Sequence, residues 1–220
     1  MFQIRREQLM EDIRRWLDED VGMGDITTMA TIPADHTAKG IIHAKEAGII
    51  AGLFIAEMVF AEVDKELKFR AEVEEGSAVS PGTVLAVVEG KTRSILTGER
   101  LALNLMQRLS GIATKTRQFV DALDGMHVRL VDTRKTTPGH RYLEKYAVRV
   151  GGGHNHRFGL FDAVLIKDNH IKGAGGISNA VRAARDAIPH TMKIEVEVET
   201  LEQLEEAINA GADIIMLDNM

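Results

Sequence analysis

The spacing of hydrophobic positions changes near residue 126, and this change predicts two kinds of architecture in one chain. Before it, apolar residues recur at helical spacing or alternate over short stretches. They predict helices at 5–19, 54–63, 94–109 and 114–123, and short strands within 38–52 and 66–90. A glycine-rich loop is predicted at 21–28, and a helix break at Gly111.

After residue 126, compact apolar runs with polar ends alternate with helical stretches. The predicted strands are 127–132, 163–168, 193–198 and 213–218, and the predicted helices are 141–149, 178–187 and 201–210. Such alternation is typical of a parallel sheet or an α/β barrel. We therefore predict an α/β protein with an N-terminal α+β sandwich domain at 1–112, followed by an α/β barrel domain at 113–220. Packing of the first helix on the barrel domain is left open as an alternative.

Composition restricts the class of partner. The 220 residues carry a formal net charge of −6, which argues against nucleic acid because proteins that bind it usually present a basic surface. The chain has no cysteine, so disulfides, thiolate zinc sites and a cysteine nucleophile are excluded. The charged N-terminal segment has no apolar signal-peptide core, and no apolar run approaches the roughly 20 residues of a membrane span. These features predict a cytoplasmic protein with no membrane partner.

Charged residues lie at the carboxyl end of every predicted strand of the second half. They are Asp132 with Arg134, Lys167 with Asp168, Glu197, and Asp218. In α/β barrels the active site lies at this end of the strands. The cations in these loops are Arg134, Lys135, His156, Arg157 and Lys167. In one pocket they would repel one another when no ligand is bound, and they would suit a strongly anionic ligand, because arginine binds carboxylate and phosphate groups through paired hydrogen bonds.

The carboxylates and cations also have purely structural interpretations. A single strand-end cation can be a solvated loop charge. Glu195, Glu197 and Glu199 alternate with valines, so they can form the exposed acidic face of an edge strand. Asp218 can equally be a helix N-cap.

Glycines and histidines in GGGHNHR are less specific. The glycines at 151–153 permit close approach of the backbone to a ligand or to another element. They do not form a dinucleotide or P-loop fingerprint. His154 and His156 lack the spacing of a known zinc motif, so a metal site there is a weak prediction.

A specific set of motifs runs from the first helix to the last residue. The motifs are GDITT (24–28), TGERLALNLMQRLSGIAT (97–114), DTRKTTPGHRYLEKYAVRVGGGHNHRFGL (132–160), IKDNHI (166–171), EVEVETLEQ (195–203) and MLDNM (216–220). Together they resemble the quinolinate phosphoribosyltransferase family. The resemblance implies phosphoribosyl transfer from phosphoribosyl pyrophosphate to quinolinate with decarboxylation. The implied products are nicotinate mononucleotide, pyrophosphate and CO₂, in de novo NAD biosynthesis.

The resemblance also implies roles for individual residues. The implied substrate-binding residues are Arg100, Arg134, His156, Arg157 and Lys167. Arg100 would reach across from a second subunit of a homodimer or higher homo-oligomer. The implied catalytic residues are Lys135, near the phosphate groups, and Glu197 and Asp218, near the ribose. The last two would also bind Mg²⁺ together with the pyrophosphate.

The family's barrel continues beyond the strand that ends in LDNM, with strands that carry a phosphate-binding region. This chain stops at Met220, so we expect its barrel domain to be C-terminally incomplete. Alternatives are therefore kept: a truncated, non-catalytic binding protein, or a paralogue like the ModD-type protein of molybdate transport operons. The intact KDNH at 167–170 favours the quinolinate enzyme over the second.

A carrier-domain interpretation comes from EEGSAVSPGTVLAVVEGK, which resembles the hammerhead of biotinyl and lipoyl domains. Lys91 would then be the modified lysine. The segment that follows is predicted to be helical, whereas a lipoyl hairpin requires a return strand.

Overall fold

The computed structural model describes residues 4–220 and divides the chain into two compact units, Met1–His156 and Arg157–Met220. Part of the N-terminal segment analysed for a signal peptide, residues 1–3, lies outside the described residues. The elements of the first unit, in chain order, are α1 (Arg6–Val21), α2 (Ile26–Thr31), β1 (Thr37–His43), β2 (Gly48–Ile49), α3 (Leu53–Val63), β3 (Lys68–Ala71), β4 (Ala78–Val79), β5 (Val84–Lys91), α4 (Thr92–Ala122) and α5 (Arg141–Val150).

The first unit is built around an antiparallel sheet in the order β1-β5-β3, and β2 pairs with β4. The central strand β5 is buried from Leu85 to Val88, as expected for a strand with a neighbour on each side. Helix α3 is apolar on most of its surface and packs against α4. These contacts give the predicted N-terminal α+β architecture.

Helix α4 is continuous, so the predicted break at Gly111 is wrong. The buried stripe Leu105, Leu109 and Ala113 passes this position at a spacing of four residues, and burial of that stripe holds the helix together. Gly111 itself is exposed, and a Cβ there would meet no atom within 4 Å. The absence of a side chain therefore does not interrupt the helix.

Two other predicted elements differ from the structure. The predicted loop 21–28 contains the start of α2, because the side chain of Asp25 accepts a hydrogen bond from Thr28 N (2.9 Å) and caps that helix. The predicted strand 127–132 is wrong in the main. Its pairing in the described part of the chain is one parallel bridge between Val131 and His154, and apolar alternation alone does not supply a neighbouring strand.

The elements of the second unit are β6 (Val164–Ile166), α6 (Asp168–Ala174), α7 (Ile177–Ala187), β7 (Ile194–Val198), α8 (Leu201–Asn209) and β8 (Ile214–Leu217). The strands form a parallel sheet in the order β6-β7-β8. Its core is formed by Ile166, Ile177, Ala180, Val181, Ile194, Val196, Val198 and Ala207. This confirms the predicted alternation of strands and helices. Helix α6 was not predicted, because its seven residues are too short for a periodic signal.

Strand β7 lies between β6 and β8, so the interpretation of its glutamates as the face of an exposed edge strand is wrong. Glu195 is buried, Glu197 is half-buried, and Glu199 lies beyond the strand and is exposed. The mixed α/β fold class is confirmed, while the domain boundary near residue 112 stays a prediction. Within residues 4–220, no helix is both long and apolar enough to cross a membrane.

Candidate functional site

Asp132 is the centre of a buried hydrogen-bond network in the first unit. Its carboxylate lies 2.5 Å from Lys145 Nζ, and it accepts hydrogen bonds from Asn155 Nδ2 (2.7 Å) and His156 N (2.9 Å). The Lys145 side chain is 1% exposed and that of Asp132 is 8% exposed. Asp132 is therefore a structural residue, although the sequence placed it among the strand-end charges.

The same network holds the backbone of the GGGHNHR segment. Lys145 Nζ donates to His156 O (3.3 Å), and Asn155 Nδ2 donates to Lys145 O (2.9 Å). The bridge next to it adds hydrogen bonds from Asp132 N to His154 O (3.1 Å) and from His154 N to Leu130 O (2.8 Å). The peptide groups on both sides of His156 are thus fixed by side chains of the protein.

Arg134 and Lys135 lie in the loop between Asp132 and α5. Arg134 Nε is buried and has no hydrogen-bond partner in the described part of the chain. Arg141 shapes the loop around it by donating to Thr136 Oγ1 (3.0 Å) and to Arg134 O (3.5 Å). Lys135 is exposed, and its side chain has no partner within residues 4–220. A buried guanidinium donor without a partner costs free energy, so this loop is suited to an anion.

Glu144 fixes the other end of this loop. Its carboxylate accepts hydrogen bonds from Thr137 N (3.3 Å) and from Arg108 Nε (3.1 Å) on α4. Burial alone would raise the pKa of Glu144, but the hydrogen bonds from Arg108 and Thr137 outweigh it and hold this pKa below its usual range. The carboxylate therefore stays ionised and keeps the loop attached to α4.

The glycines at 151–153 approach a protein element. A Cβ on Gly151 would collide with the carbonyl oxygen of Ala113, and one on Gly153 would lie 2.9 Å from Thr116 Cγ2. Gly152 has a φ of +96°, which disfavours other residues. Of the two interpretations of this run, close packing against α4 is the one that the structure supports.

In the second unit, Lys167 and Glu197 form an ion pair. Lys167 Nζ lies 2.5 Å from Glu197 Oε2, because Ile166 and Val196 are in register and the next residues project side by side. The Lys167 side chain is 42% exposed and that of Glu197 is 16% exposed. Glu197 therefore neutralises Lys167 in the absence of a ligand, so the expected repulsion among empty-site cations does not apply to Lys167.

The KDNH segment caps helix α6. Lys167 N donates to His170 Nδ1 (3.0 Å), so this ring nitrogen is the acceptor. A hydrogen bond from the backbone of Asn169 makes the largest contribution to holding the pKa of Asp168 below its usual range, and a hydrogen bond from the Lys172 side chain adds to it. His170, which was ambiguous in the sequence, thus fixes the turn that follows Lys167.

Arg157 lies in the loop before β6, and Asp218 lies directly after β8. Arg157 Nη1 donates to Ala163 O (3.4 Å), and Asp162 accepts hydrogen bonds from Phe158 N (2.6 Å) and Gly159 N (2.8 Å) in the same loop. Asp218 follows β8 and is exposed, and its backbone N donates to Val198 O (2.9 Å). Glu197 is in register with Met216, so Asp218 comes two residues beyond that position on the neighbouring strand.

Arg100 lies elsewhere in the first unit. It is exposed on α4 and has no side-chain partner in the part of the chain that the structure describes. It lines a cavity of about 760 Å³ together with His43, Lys45, Gln107 and Lys115. This cavity thus carries both cationic and amide side chains.

The sequence missed the residues that shape these loops: Arg108, Glu144, Lys145 and Asn155. Lys145 carried one available signal, since it lies among Tyr142, Leu143 and Ala147, which are buried on α5. A lysine inside such a run predicts a buried charge, but it does not identify Asp132 as its partner. The carrier interpretation of Lys91 is wrong, because this residue ends β5 directly before α4 and pairs with Glu66 (2.9 Å).

Family models match most of the chain. The model described as quinolinate phosphoribosyl transferase, N-terminal domain, matches residues 25–110. The model of the C-terminal domain of the same family matches residues 112–220.

Curated relatives and solved structures agree with these matches. A probable nicotinate-nucleotide pyrophosphorylase (carboxylating) of Synechocystis is 50% identical over 208 residues, covering 94% of this chain and 70% of that protein. A Bacillus subtilis protein with the same description is 49% identical, covering 96% of this chain and 73% of the relative. The crystal structure of NadC from Streptococcus pyogenes superimposes with a TM-score of 0.95 at 44% identity, covering 100% of this chain and 78% of that one. These similarities do not favour the ModD-type alternative.

Proposed function

The chain belongs to the quinolinate phosphoribosyltransferase family, and from this premise we propose how its residues carry out the decarboxylating phosphoribosyl transfer of NAD biosynthesis. The substrates are quinolinate and phosphoribosyl pyrophosphate. The products are nicotinate mononucleotide, pyrophosphate and CO₂. Family membership and the local geometry of one of the two units support each assigned role.

The observation that carries the proposal is the buried Nε of Arg134, which has no hydrogen-bond partner among residues 4–220. Quinolinate is a planar dicarboxylate, and a guanidinium group is a good receptor for a carboxylate. The loop around Arg134 is held by Arg141 and Glu144, so its donors are positioned before any ligand binds. In the first unit we assign Arg134 and His156 to the carboxylates of quinolinate, and Lys135 to the phosphate groups of the second substrate.

In the second unit we assign Arg157 and Lys167 to the carboxylates of quinolinate. Glu197 and Asp218 are assigned to the ribose, where carboxylates stabilise a developing positive charge. The ion pair of Lys167 with Glu197 supports both assignments, because each group stays charged and is compensated by the other until the substrates bind.

The chemistry proceeds without a covalent intermediate on the protein. The pyridine nitrogen forms a bond to the anomeric carbon while the bond from that carbon to pyrophosphate breaks. The resulting pyridinium nitrogen accepts electron density when the adjacent carboxylate leaves as CO₂, and the ring carbon is then protonated. The protein contributes by orienting the two substrates and by stabilising charge.

Magnesium belongs to this proposal as well. No group of three or more His, Cys, Asp or Glu side chains within residues 4–220 could hold a metal ion. The two carboxylates Glu197 and Asp218 would contact Mg²⁺, which usually binds through substrate phosphates and one or two carboxylates rather than through a complete set of protein ligands. Bound Mg²⁺ would neutralise charge on the pyrophosphate.

A homo-oligomer completes the proposal. Arg100 is exposed and unpartnered in the described chain, which supports its action on a site in a second subunit. A cytoplasmic location stays a prediction from the sequence.

Calorimetry with quinolinate on the 220-residue chain tests the proposal. We expect micromolar affinity, roughly −8 kcal/mol, that weakens as salt is raised because ionic contacts carry it. Nicotinate, which has one carboxylate fewer, is the matched ligand and should bind more weakly. Formation of nicotinate mononucleotide on addition of phosphoribosyl pyrophosphate and Mg²⁺ is the second readout. A folded chain that binds neither ligand would contradict the proposal.

A further inference from the structure

We propose that Lys145, Asp132 and Asn155 form a positioning unit that sets the geometry of the quinolinate-binding loops of the first unit. This inference rests on the proposed function of Arg134 and His156. None of the three side chains is assigned to a substrate. They act through the backbone of the residues that are.

The hydrogen bonds of the unit converge on His156. Asp132 accepts from His156 N (2.9 Å), and Lys145 donates to His156 O (3.3 Å). Both peptide groups that flank the His156 side chain are therefore held by one ion pair. The direction of this side chain depends on that pair because the backbone cannot rotate without breaking one of the two bonds.

The unit also joins two separate segments of the chain. Asp132 lies two residues before Arg134, and Asn155 lies one residue before His156. Asn155 Nδ2 donates both to Asp132 Oδ2 (2.7 Å) and to Lys145 O (2.9 Å), so both amide hydrogens are used. The spacing between the Arg134 loop and the His156 segment is thus fixed by side chains.

Stability alone does not account for this arrangement. A buried ion pair usually stabilises a protein no more than apolar residues of the same volume, because desolvation offsets the attraction. The Lys145 side chain is 1% exposed, so its desolvation is nearly complete. Preorganisation of a binding site is a gain that such a pair can provide, since a small displacement of binding groups has a large effect on affinity.

The test is steady-state kinetics and calorimetry on Lys145→Met, which keeps an unbranched side chain as far as the ε position and removes the charged donor. We expect the KM and Kd for quinolinate to rise about tenfold or more, while kcat at saturating quinolinate changes less than about threefold, because Lys145 is assigned to no substrate. The matched control is Val59→Ala, which removes buried volume from α3 and lowers stability away from these loops. Its KM for quinolinate should stay unchanged.

Asn155→Ala is the second variant, for the case in which Lys145→Met does not fold. It leaves the ion pair in place and should raise the KM for quinolinate about threefold to tenfold. A folded Lys145→Met or Asn155→Ala protein with an unchanged KM, or an equal change in Val59→Ala, would overturn the inference. If the unaltered chain fails to bind quinolinate, the proposed function itself is wrong. If the unaltered chain binds quinolinate and the variants bind it equally well, only the positioning role is wrong.

Discussion

Lys167 directly follows strand β6 and lies beside Glu197 on the neighbouring parallel strand β7, and their charged groups are 2.5 Å apart. The two residues have opposite charge and are assigned to opposite tasks, one to an anionic substrate and one to a cationic transition state. Under these assignments, a carboxylate of quinolinate would compete with Glu197 for Lys167. The pair has no net charge before the substrate binds, and binding would separate its two members.

Glu197→Gln should separate binding from catalysis. Removal of the competing carboxylate frees Lys167, so we expect quinolinate to bind up to about fivefold more tightly, since a partly exposed pair contributes roughly 0.2–1 kcal/mol. Turnover should fall at the same time, because the ribose loses its carboxylate. Calorimetry and product formation measure the two effects. Glu199→Gln, which alters an exposed neighbour, is the control, and weaker quinolinate binding by Glu197→Gln would contradict the prediction.

Arg134→Lys should weaken quinolinate binding although the charge is kept. Lysine lacks the planar pair of donors, so we expect the Kd to rise about tenfold, and Arg134→Ala should cost about 2–5 kcal/mol of binding free energy. The free energy of unfolding should change little, because Arg134 Nε has no partner to lose within residues 4–220. Arg182→Lys on α7 is the control for an exposed arginine. Equal quinolinate affinities of the unaltered chain and the Arg134→Lys variant would contradict the assignment of Arg134 to quinolinate.

Gly151 and Gly111 should respond to alanine in opposite directions. Alanine at 151 forces a Cβ against the Ala113 carbonyl, so we expect a loss of about 1–3 kcal/mol in the free energy of unfolding. Alanine at 111 meets no atom within 4 Å in the middle of α4, so we expect a gain of about 0.5–1 kcal/mol. Urea unfolding of both variants measures the difference. The same sign for both substitutions would show that the packing of the glycine run is described incorrectly.

The two tyrosines should make the protein sensitive to alkali. Burial, together with hydrogen bonds to Asp12 and Glu75 respectively, raises the pKa of Tyr142 and of Tyr146 far above the usual value. Since the folded-state pKa is raised, the stabilisation is complete below about pH 10, where an unfolded tyrosine ionises, and is lost as the pH rises above it.

Tyrosinate absorbance and urea unfolding between neutral and alkaline pH measure this effect. We expect no tyrosinate in the folded protein near pH 10 and a joint appearance of tyrosinate and unfolding at higher pH. In Tyr146→Phe, the free energy of unfolding should fall less steeply with pH than in the unaltered chain. Tyrosinate that forms near pH 10 in a folded sample would show that the phenols are accessible.

The sequence predicted those elements whose type is determined by the spacing of their own apolar residues. Helix α3 and the central strand β7 carry enough buried side chains for their type to be read directly from spacing. The predicted strand at 127–132 failed because a strand requires a partner, and the partner here is limited to the bridge with His154 in the described chain. The helix break at Gly111 failed because tertiary packing of Leu109 and Ala113 outweighs the low helix propensity of one glycine.

The candidate site was predictable to a similar degree. Charged residues at strand ends and the family motifs made Arg134, Lys167 and Glu197 candidates, since the chemistry of an anionic ligand requires such groups, and their roles stay predictions. The sequence did not identify the pairing of Lys167 with Glu197, which depends on strand register, or the support of His156 by Lys145. Motifs indicate which residues are candidates for substrate contact. The residues that hold those side chains in place are separated from them along the chain, so their contacts are found only in the three-dimensional structure.

Helix α4 carries Arg100 and, two turns later, Arg108, which is bonded to Glu144 beside the Arg134 loop. In an assembly where Arg100 acts on a neighbouring subunit, one continuous helix would hold its own Arg134 loop through Arg108 and would contact the substrate of its neighbour through Arg100. Two active sites would then depend on the position of a single helix.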